Sequence, residues 1–314
     1  MIEDMLSKDP VLAETLSPEN IVLIDCCLLG YKGHQSKGLC WETYDSRQYG
    51  HIDHRLLAEH HDYMANMMDL IMLPNVWSIE EVANEFYDTI KHLGGNIRYL
   101  SEHKRPPEHK RFKREYDIEK QKNALSDVHD IFYEVYRVLK SKSINYNKEI
   151  SFDKNKIDVL FEMVNLLESK MKLKVDSNYI RGFRSEDRSH ISDTDEKLVA
   201  CLYYLSIYSD KKPVLLTADN DFQKLLGKIS PLIGSYSFFP DNGIFRRKLR
   251  ANNFRLYMEI NGVYELKLDS ASDIRFNDDF MLPGLGRKEC DKLKIDVAAL
   301  WRNLISCKPK IYAS

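Results

Sequence analysis

The sequence predicts an α/β fold with a large helical insertion and a C-terminal β-hairpin and helical extension. Two apolar runs, IVLIDCCLLG at 21–30 and VLL at 214–216, are interrupted or ended by polar residues, as buried strands are. Residues 96–190 lie between these runs and show helical periodicity without a strand signal. Near the C-terminus, alternating apolar residues flank Asn261 and Gly262, a pair typical of a tight hairpin turn.

Length and composition are those of a globular protein with more than one module. The chain has 314 residues, of which 43% are hydrophobic and 30% are charged. This length exceeds that of a usual single domain. We therefore expect a core domain at 20–240, interrupted at about 96–190, and a C-terminal extension at 241–314.

The sequence predicts neither secretion nor a membrane span. The segment MIEDMLSKDP is too acidic and polar for a secretory signal, and no apolar stretch reaches the roughly 18 residues of a membrane helix. The six cysteines show no zinc-ligand spacing. We therefore expect a cytoplasmic protein that has no membrane partner.

The first predicted strand contains a single carboxylate, Asp25. A carboxylate inside an apolar run is costly unless it is paired or faces a solvated site. Asp25 therefore marks either a solvated strand end or a position at which a metal site is built. This segment does not decide between the two.

Two amphipathic helices are predicted next. From His51 to Leu73 the apolar residues recur at helical spacing, so we interpret the histidines, His60 among them, as solvated rather than as metal ligands. The second helix follows Ser78, its predicted N-cap, and is expected to stop at the Gly94-Gly95 pair.

Glu81 and Glu85 lie one turn apart in this second helix, so both can face one cleft. Glu81 stands three residues after Ser78, where a capping box explains it. Glu85 has no such explanation, and it is the better candidate for a functional site.

The insertion is predicted to contain helices at 117–140 and 154–170 together with two basic segments. A local basic face attracts phosphates even on a chain whose net charge is −2. An ordinary solvated surface explains the same residues. The candidate nucleic-acid contacts are Lys104, Arg105, Lys110, Arg111, Lys113, Arg114, Arg181, Arg184 and Arg188.

Acidic residues stand on both sides of the second predicted strand. Asp195 lies in the first turn of the preceding helix, which Asp193 or Thr194 can cap. Asp219 and Asp221 follow the strand, and two close carboxylates repel each other unless they share a cation. Capping of the next helix is the alternative role for both.

Four segments, LIDCC, NEF, DEKLVA and TADNDF, resemble the motifs of the PIN-domain nucleases, and the resemblance covers 20–95 and 190–230. It implies a three-layer α/β/α domain with a central parallel sheet that hydrolyses phosphodiester bonds, most often in RNA. It also implies Mg²⁺ or Mn²⁺, which oxygen ligands suit. The implied catalytic metal ligands are Asp25, Glu85, Asp195 and Asp219, with Asp221 as an auxiliary ligand and Thr217, Glu81 and Asp193 as supporting residues.

The leading hypothesis is a metal-dependent endoribonuclease that cleaves single-stranded RNA. One alternative is a flap- or 5′-nuclease-like enzyme acting on structured DNA, a branch that the PGLG loop at 283–286 also resembles. Another is a PIN-like adaptor that binds nucleic acid without cleaving it, since Cys26 stands where the family usually has Thr, Ser or Asn. A protein partner or inhibitor on the insertion, or a homo-oligomer, is compatible with each hypothesis.

Overall fold

The computed structural model describes residues 7, 10–29, 54–103, 118–146, 148, 152–179, 194–217, 247–250, 257–260, 262–265 and 286–306. Its helices are α1 (Pro10–Thr15), α2 (His54–Ile71), α3 (Glu80–His103), α4 (Ile118–Ser141), α5 (Lys154–Tyr179), α6 (Thr194–Tyr208) and α7 (Arg287–Ser306). Short 3₁₀ turns cover Cys26–Leu29 and Ile144–Tyr146. The strands are β1 (Asn20–Ile24), β2 (Val76–Trp77), β3 (Lys212–Thr217), β4 (Arg247–Arg250), β5 (Tyr257–Ile260) and β6 (Gly262–Glu265).

A small parallel sheet and its helices give the chain an α/β fold, as predicted. The strand order is β2-β1-β3-β6, and β1 pairs with β2 in parallel, with Val22 opposite Val76. Every residue of β1 and all of β3 after Lys212 are buried. Strands covered on both faces need nearly continuous apolar sequence, which explains why NIVLI and PVLLT show no alternation of polar and apolar residues.

The chain divides into two compact units, and the division passes through β3 and β6. Unit 1 comprises residues 1–146, 216–219 and 245–263; unit 2 comprises the remainder. The helices of the predicted insertion are shared between the units. Helix α4 contacts α2 and α3 in unit 1, whereas α5 contacts α6 and α7 in unit 2.

The helices of unit 1 pack through apolar stripes and aromatic pairs. The rings of Phe86 in α3 and Phe132 in α4 are fully buried, and their centroids are 5.2 Å apart. Such pairs stabilise a core beyond their buried area alone. At the end of α4, the ammonium of Lys142 donates to the carbonyl of Leu73 at 2.6 Å and lies 5.2 Å from the centre of the Trp77 ring.

Helix α3 continues well past Gly94 and Gly95, so the predicted stop at this pair is wrong. A glycine costs a helix interior about 1 kcal/mol relative to alanine. Burial of Leu93 and Leu100 continues the apolar stripe beyond the pair, and packing of this stripe outweighs the cost. A Cβ added to Gly94 would lie 3.8 Å from Nε2 of His129, so α4 passes directly beside it.

His60 in α2 is buried, so our interpretation of it as a solvated residue is wrong. It is 1% exposed, and burial lowers its pKa from the ordinary value of 6.5 to about 3. The predicted apolar stripe of this helix is confirmed, because Met64 and Met67 are buried on it. Helix α2 contacts both α4 and β2, and a helix covered from two directions buries more than one stripe.

Strand β5 pairs with β4 rather than with β6, so the predicted hairpin between 254–260 and 263–268 is wrong, although a strand forms in each segment. The β4–β5 pair is antiparallel, and its register places Lys248 opposite Glu259. Strand β6 instead neighbours β3 in the larger sheet. The strands on either side of Asn261, which lies outside the described residues, thus do not pair with each other, and the local turn signal does not set the pairing.

The described part of unit 2 consists of α5, α6 and α7 together with parts of β3 and β6. The hydroxyl of Tyr204 in α6 accepts a hydrogen bond from the backbone N–H of Asp153 at 3.0 Å, and burial raises the pKa of Tyr204 to about 12. At the start of α7, the backbone N–H of Gly286 donates to Oε2 of Glu289 at 2.8 Å. Within the described ranges, no helix combines the length and apolar character needed to cross a membrane.

Candidate active site

The candidate active site is built around Asp25, at the carboxyl end of β1. Asp25 follows a fully buried strand and is itself only 4% exposed. Its backbone N–H donates to the carbonyl of Leu216 in β3 at 3.1 Å. The ends of β1 and β3 therefore lie side by side.

A side-chain hydrogen bond joins these two strand ends. The hydroxyl of Thr217 donates to Oδ2 of Asp25 at 2.7 Å, and Thr217 is fully buried. Burial removes water from a carboxylate at considerable cost, and a hydrogen bond to a charged group returns about 1.5–3 kcal/mol. Thr217 therefore both stabilises the Asp25 carboxylate and fixes its direction.

This location is one where chemistry is expected. In open α/β sheets, ligands bind beyond the carboxyl ends of the strands. Asp25 and Thr217 occupy those ends in neighbouring strands, 192 positions apart in the chain. In the sequence, ADND at 218–221 follows β3 directly.

Glu81 and Glu85 are both half-buried on the N-terminal part of α3. Helix α3 contacts the 3₁₀ turn Cys26–Leu29, which begins directly after Asp25. The helix that carries both glutamates thus packs beside the chain that leaves β1.

Ser78 is not the N-cap of α3, so that prediction is wrong. It forms an isolated parallel β-bridge with Ser143, and its hydroxyl donates to the carbonyl of Ile79 at 3.2 Å. Helix α3 begins at Glu80, two residues after Ser78. Ser78 therefore belongs to the edge of the sheet region, and it does not distinguish Glu81 from Glu85 as site residues.

Asp195 lies in the first turn of α6, as predicted, and it is half-buried within unit 2. Thr194, the first residue of α6, is 3% exposed. Asp193, Asp219 and Asp221 lie outside the described residues. So do all of the candidate nucleic-acid contacts, namely Lys104, Arg105, Lys110, Arg111, Lys113, Arg114, Arg181, Arg184 and Arg188.

The chemistry of the predicted ligands fits a hard divalent cation. Asp25, Glu85 and Asp195 all offer carboxylate oxygens, which Mg²⁺ and Mn²⁺ prefer. Across the portion of the chain that the structure describes, no group of three or more His, Cys, Asp and Glu residues is placed to hold a metal ion. The full predicted set also includes Asp219 and Asp221, which are not in that portion.

Sequence reasoning missed one residue that shapes this region. Tyr63 in α2 is 4% exposed, and its hydroxyl donates to the backbone carbonyl of Leu28 in the 3₁₀ turn after Asp25. It anchors that turn to α2. A hydroxyl within the apolar stripe of α2 was the available signal, because a buried tyrosine hydroxyl usually needs a partner.

No protein-family model matches the chain, and no curated protein or solved structure is significantly similar to it. What the fold and the site define is an α/β protein with a buried, hydrogen-bonded carboxylate at the ends of two adjacent strands.

Proposed function

We propose that this chain is a metal-dependent phosphodiesterase, an endoribonuclease that cleaves single-stranded RNA with Mg²⁺ or Mn²⁺ in the cytoplasm. The proposal includes a three-layer α/β/α arrangement of the PIN type around the parallel sheet. The observation that carries it is the hydrogen bond from Thr217 to Asp25, which holds a buried carboxylate in one direction where ligands of α/β proteins bind.

Chain connectivity supports a cluster of acids at this place. Asp219 follows Thr217 by two residues, and two residues of extended chain span about 7 Å. The chain therefore has the reach to bring Asp219 near Asp25. Two neighbouring carboxylates favour a shared cation, because each otherwise makes the other harder to ionise.

The other acids complete the proposed ligand set. Glu85 stands on the helix that contacts the turn after Asp25, and Asp195 lies in the first turn of the helix that precedes β3. Asp221 is the auxiliary ligand, and Glu81 and Asp193 are supporting acids. A bound divalent ion would lower the pKa of its water and neutralise charge developing on the scissile phosphate.

The proposal is tested by mixing the purified chain with labelled single-stranded RNA, single-stranded DNA and a branched DNA duplex, with Mn²⁺ or with chelator. We expect cleavage of RNA within the strand, with Mn²⁺ only. Asp25→Asn keeps an acceptor for the Thr217 hydroxyl but removes the charge, and it should reduce cleavage by about 100-fold, the upper end of what residues that support a metal site cost. Asp69→Asn, at an exposed position of α2, is the matched control and should cleave normally.

The other outcomes separate the alternatives. Cleavage of the branched DNA in preference to RNA would favour the flap- or 5′-nuclease-like enzyme. Binding of nucleic acid without cleavage, equal in Mn²⁺ and chelator, would favour the adaptor. Full activity of a correctly folded Asp25→Asn protein would reject the proposed site.

A further inference from the structure

Three tyrosine rings form a row across α3 and α4 in unit 1. The ring centroid of Tyr87 in α3 lies 4.8 Å from that of Tyr136 in α4, and Tyr136 lies 6.1 Å from Tyr133. Tyr133 is 44% exposed, and the other two are half-buried. The neighbouring Phe132 provides the buried contact between α3 and α4, so the outer ring of Tyr133 is left accessible to a ligand.

Two lysine ammonium groups lie over rings of this row. The ammonium of Lys91 lies 4.8 Å from the centre of the Tyr87 ring, and that of Lys140 lies 5.8 Å from the centre of the Tyr136 ring. Arg137 extends the positive charge along α4, with 64% of its side chain exposed. Rings interleaved with basic groups are the combination that binds bases and phosphates of a single strand.

Two carboxylates accompany these cations. Asp88 lies 2.7 Å from Lys91, and Glu134 lies 3.1 Å from Arg137. In both pairs more than half of each side chain is exposed. Ion pairs in solvent are weak and screened by salt, so a phosphate can replace either carboxylate. Lys140, over the Tyr136 ring, adds a further positive charge.

We propose that Tyr87, Tyr133 and Tyr136 with Lys91 and Lys140, which we name the tyrosine surface, bind single-stranded nucleic acid by stacking its bases. This inference rests on the proposed function and deepens it, because it states how the substrate strand is held outside the acidic site. Stacking needs unpaired bases, so the tyrosine surface selects single strands over duplexes.

The test is fluorescence anisotropy with labelled oligouridylate, oligothymidylate and an RNA duplex of equal length, all in chelator so that nothing is cleaved. Tyr133→Leu keeps apolar contact but removes the exposed ring, and we expect about 5- to 100-fold weaker binding of both single strands. Lys140→Glu should weaken binding and flatten its salt dependence. The two single-stranded probes show whether the tyrosine surface prefers RNA or DNA.

Matched controls come from exposed positions elsewhere. Tyr146→Leu removes a ring that is 65% exposed, and Lys148→Glu reverses a charge at an exposed position. Both should bind as the unaltered protein does. Thermal melting followed by circular dichroism confirms that each variant is folded.

Three results would overturn the inference: unchanged binding by Tyr133→Leu and Lys140→Glu, equal losses in the controls, or preferred binding of the duplex. Displacement of the bound strand by a short acidic peptide at equal concentration would also reject it, in favour of a protein ligand. A different variant tests the proposed function: Asp25→Asn should lose cleavage and keep oligouridylate binding. The two proposals can therefore fail independently.

Discussion

Replacing Thr217 with valine removes one hydroxyl from the candidate active site and leaves the side chain nearly the same shape. The lost hydrogen bond has a charged acceptor, is 2.7 Å long and is fully buried on the threonine side. Such bonds contribute about 1.5–3 kcal/mol. We expect Thr217→Val to lower the free energy of unfolding by about 2 kcal/mol, which corresponds to about 4–8 °C in Tm.

The assay is urea denaturation followed by circular dichroism, in which the midpoint should fall while the slope stays constant. Thr217→Ser is the control, because it keeps the hydroxyl and loses one methyl group, which costs about 1 kcal/mol. A double-mutant cycle with Asp25→Ala, which removes the acceptor that asparagine would keep, isolates the pair, and its coupling energy should be about 1 kcal/mol or more.

The same substitution bears on the proposed chemistry. A residue that orients a metal ligand typically changes metal affinity or activity by about 10–100-fold when it is replaced. Thr217→Val should therefore weaken Mn²⁺-dependent cleavage by this factor, whereas Thr217→Ser should retain most of it. A coupling energy near zero, or equal damage from serine and valine, would refute the idea that the hydroxyl holds the Asp25 carboxylate.

Two further predictions concern stability. Burial holds the pKa of His60 at about 3, below its ordinary 6.5, so only the unfolded chain takes up this proton between those values and stability falls as the pH is lowered. At pH 5 the free energy of unfolding, measured by urea denaturation, should be about 2 kcal/mol lower for this reason. His60→Leu should abolish this loss and His61→Asn should not. An unchanged dependence of stability on pH in His60→Leu would contradict the prediction. Gly95→Ala should raise the free energy of unfolding by about 0.5–1 kcal/mol, since Gly95 is exposed within α3 and nothing lies within 4 Å of the added Cβ. A lower thermal midpoint would show that α3 does not run through this position.

Sequence patterns predicted those elements whose formation depends on residues within the element. The helix expected at 117–140 is observed at Ile118–Ser141, because its apolar spacing matches one buried stripe. The Gly94-Gly95 pair misled the prediction, since propensity was outweighed by packing against α4. The turn signal at Asn261 misled it because each flanking strand pairs elsewhere, β5 with β4 and β6 beside β3.

The candidate site shows where such reasoning succeeds and where it stops. Asp25 was identifiable because a carboxylate in an apolar strand requires a partner, and that requirement is chemical rather than topological. The partner, Thr217, was assigned to the site only through the resemblance of TADNDF to a PIN-domain motif, and the sheet order brings the two together across 192 positions. Tyr63 was missed because its hydroxyl meets a backbone carbonyl, and every residue offers one. When two side chains bind each other, their complementary residue types are visible in the sequence. A side chain that binds the backbone is visible only as a single polar group in an apolar stripe. Buried hydroxyls within apolar stripes are therefore the positions at which further residues that shape the site should be sought.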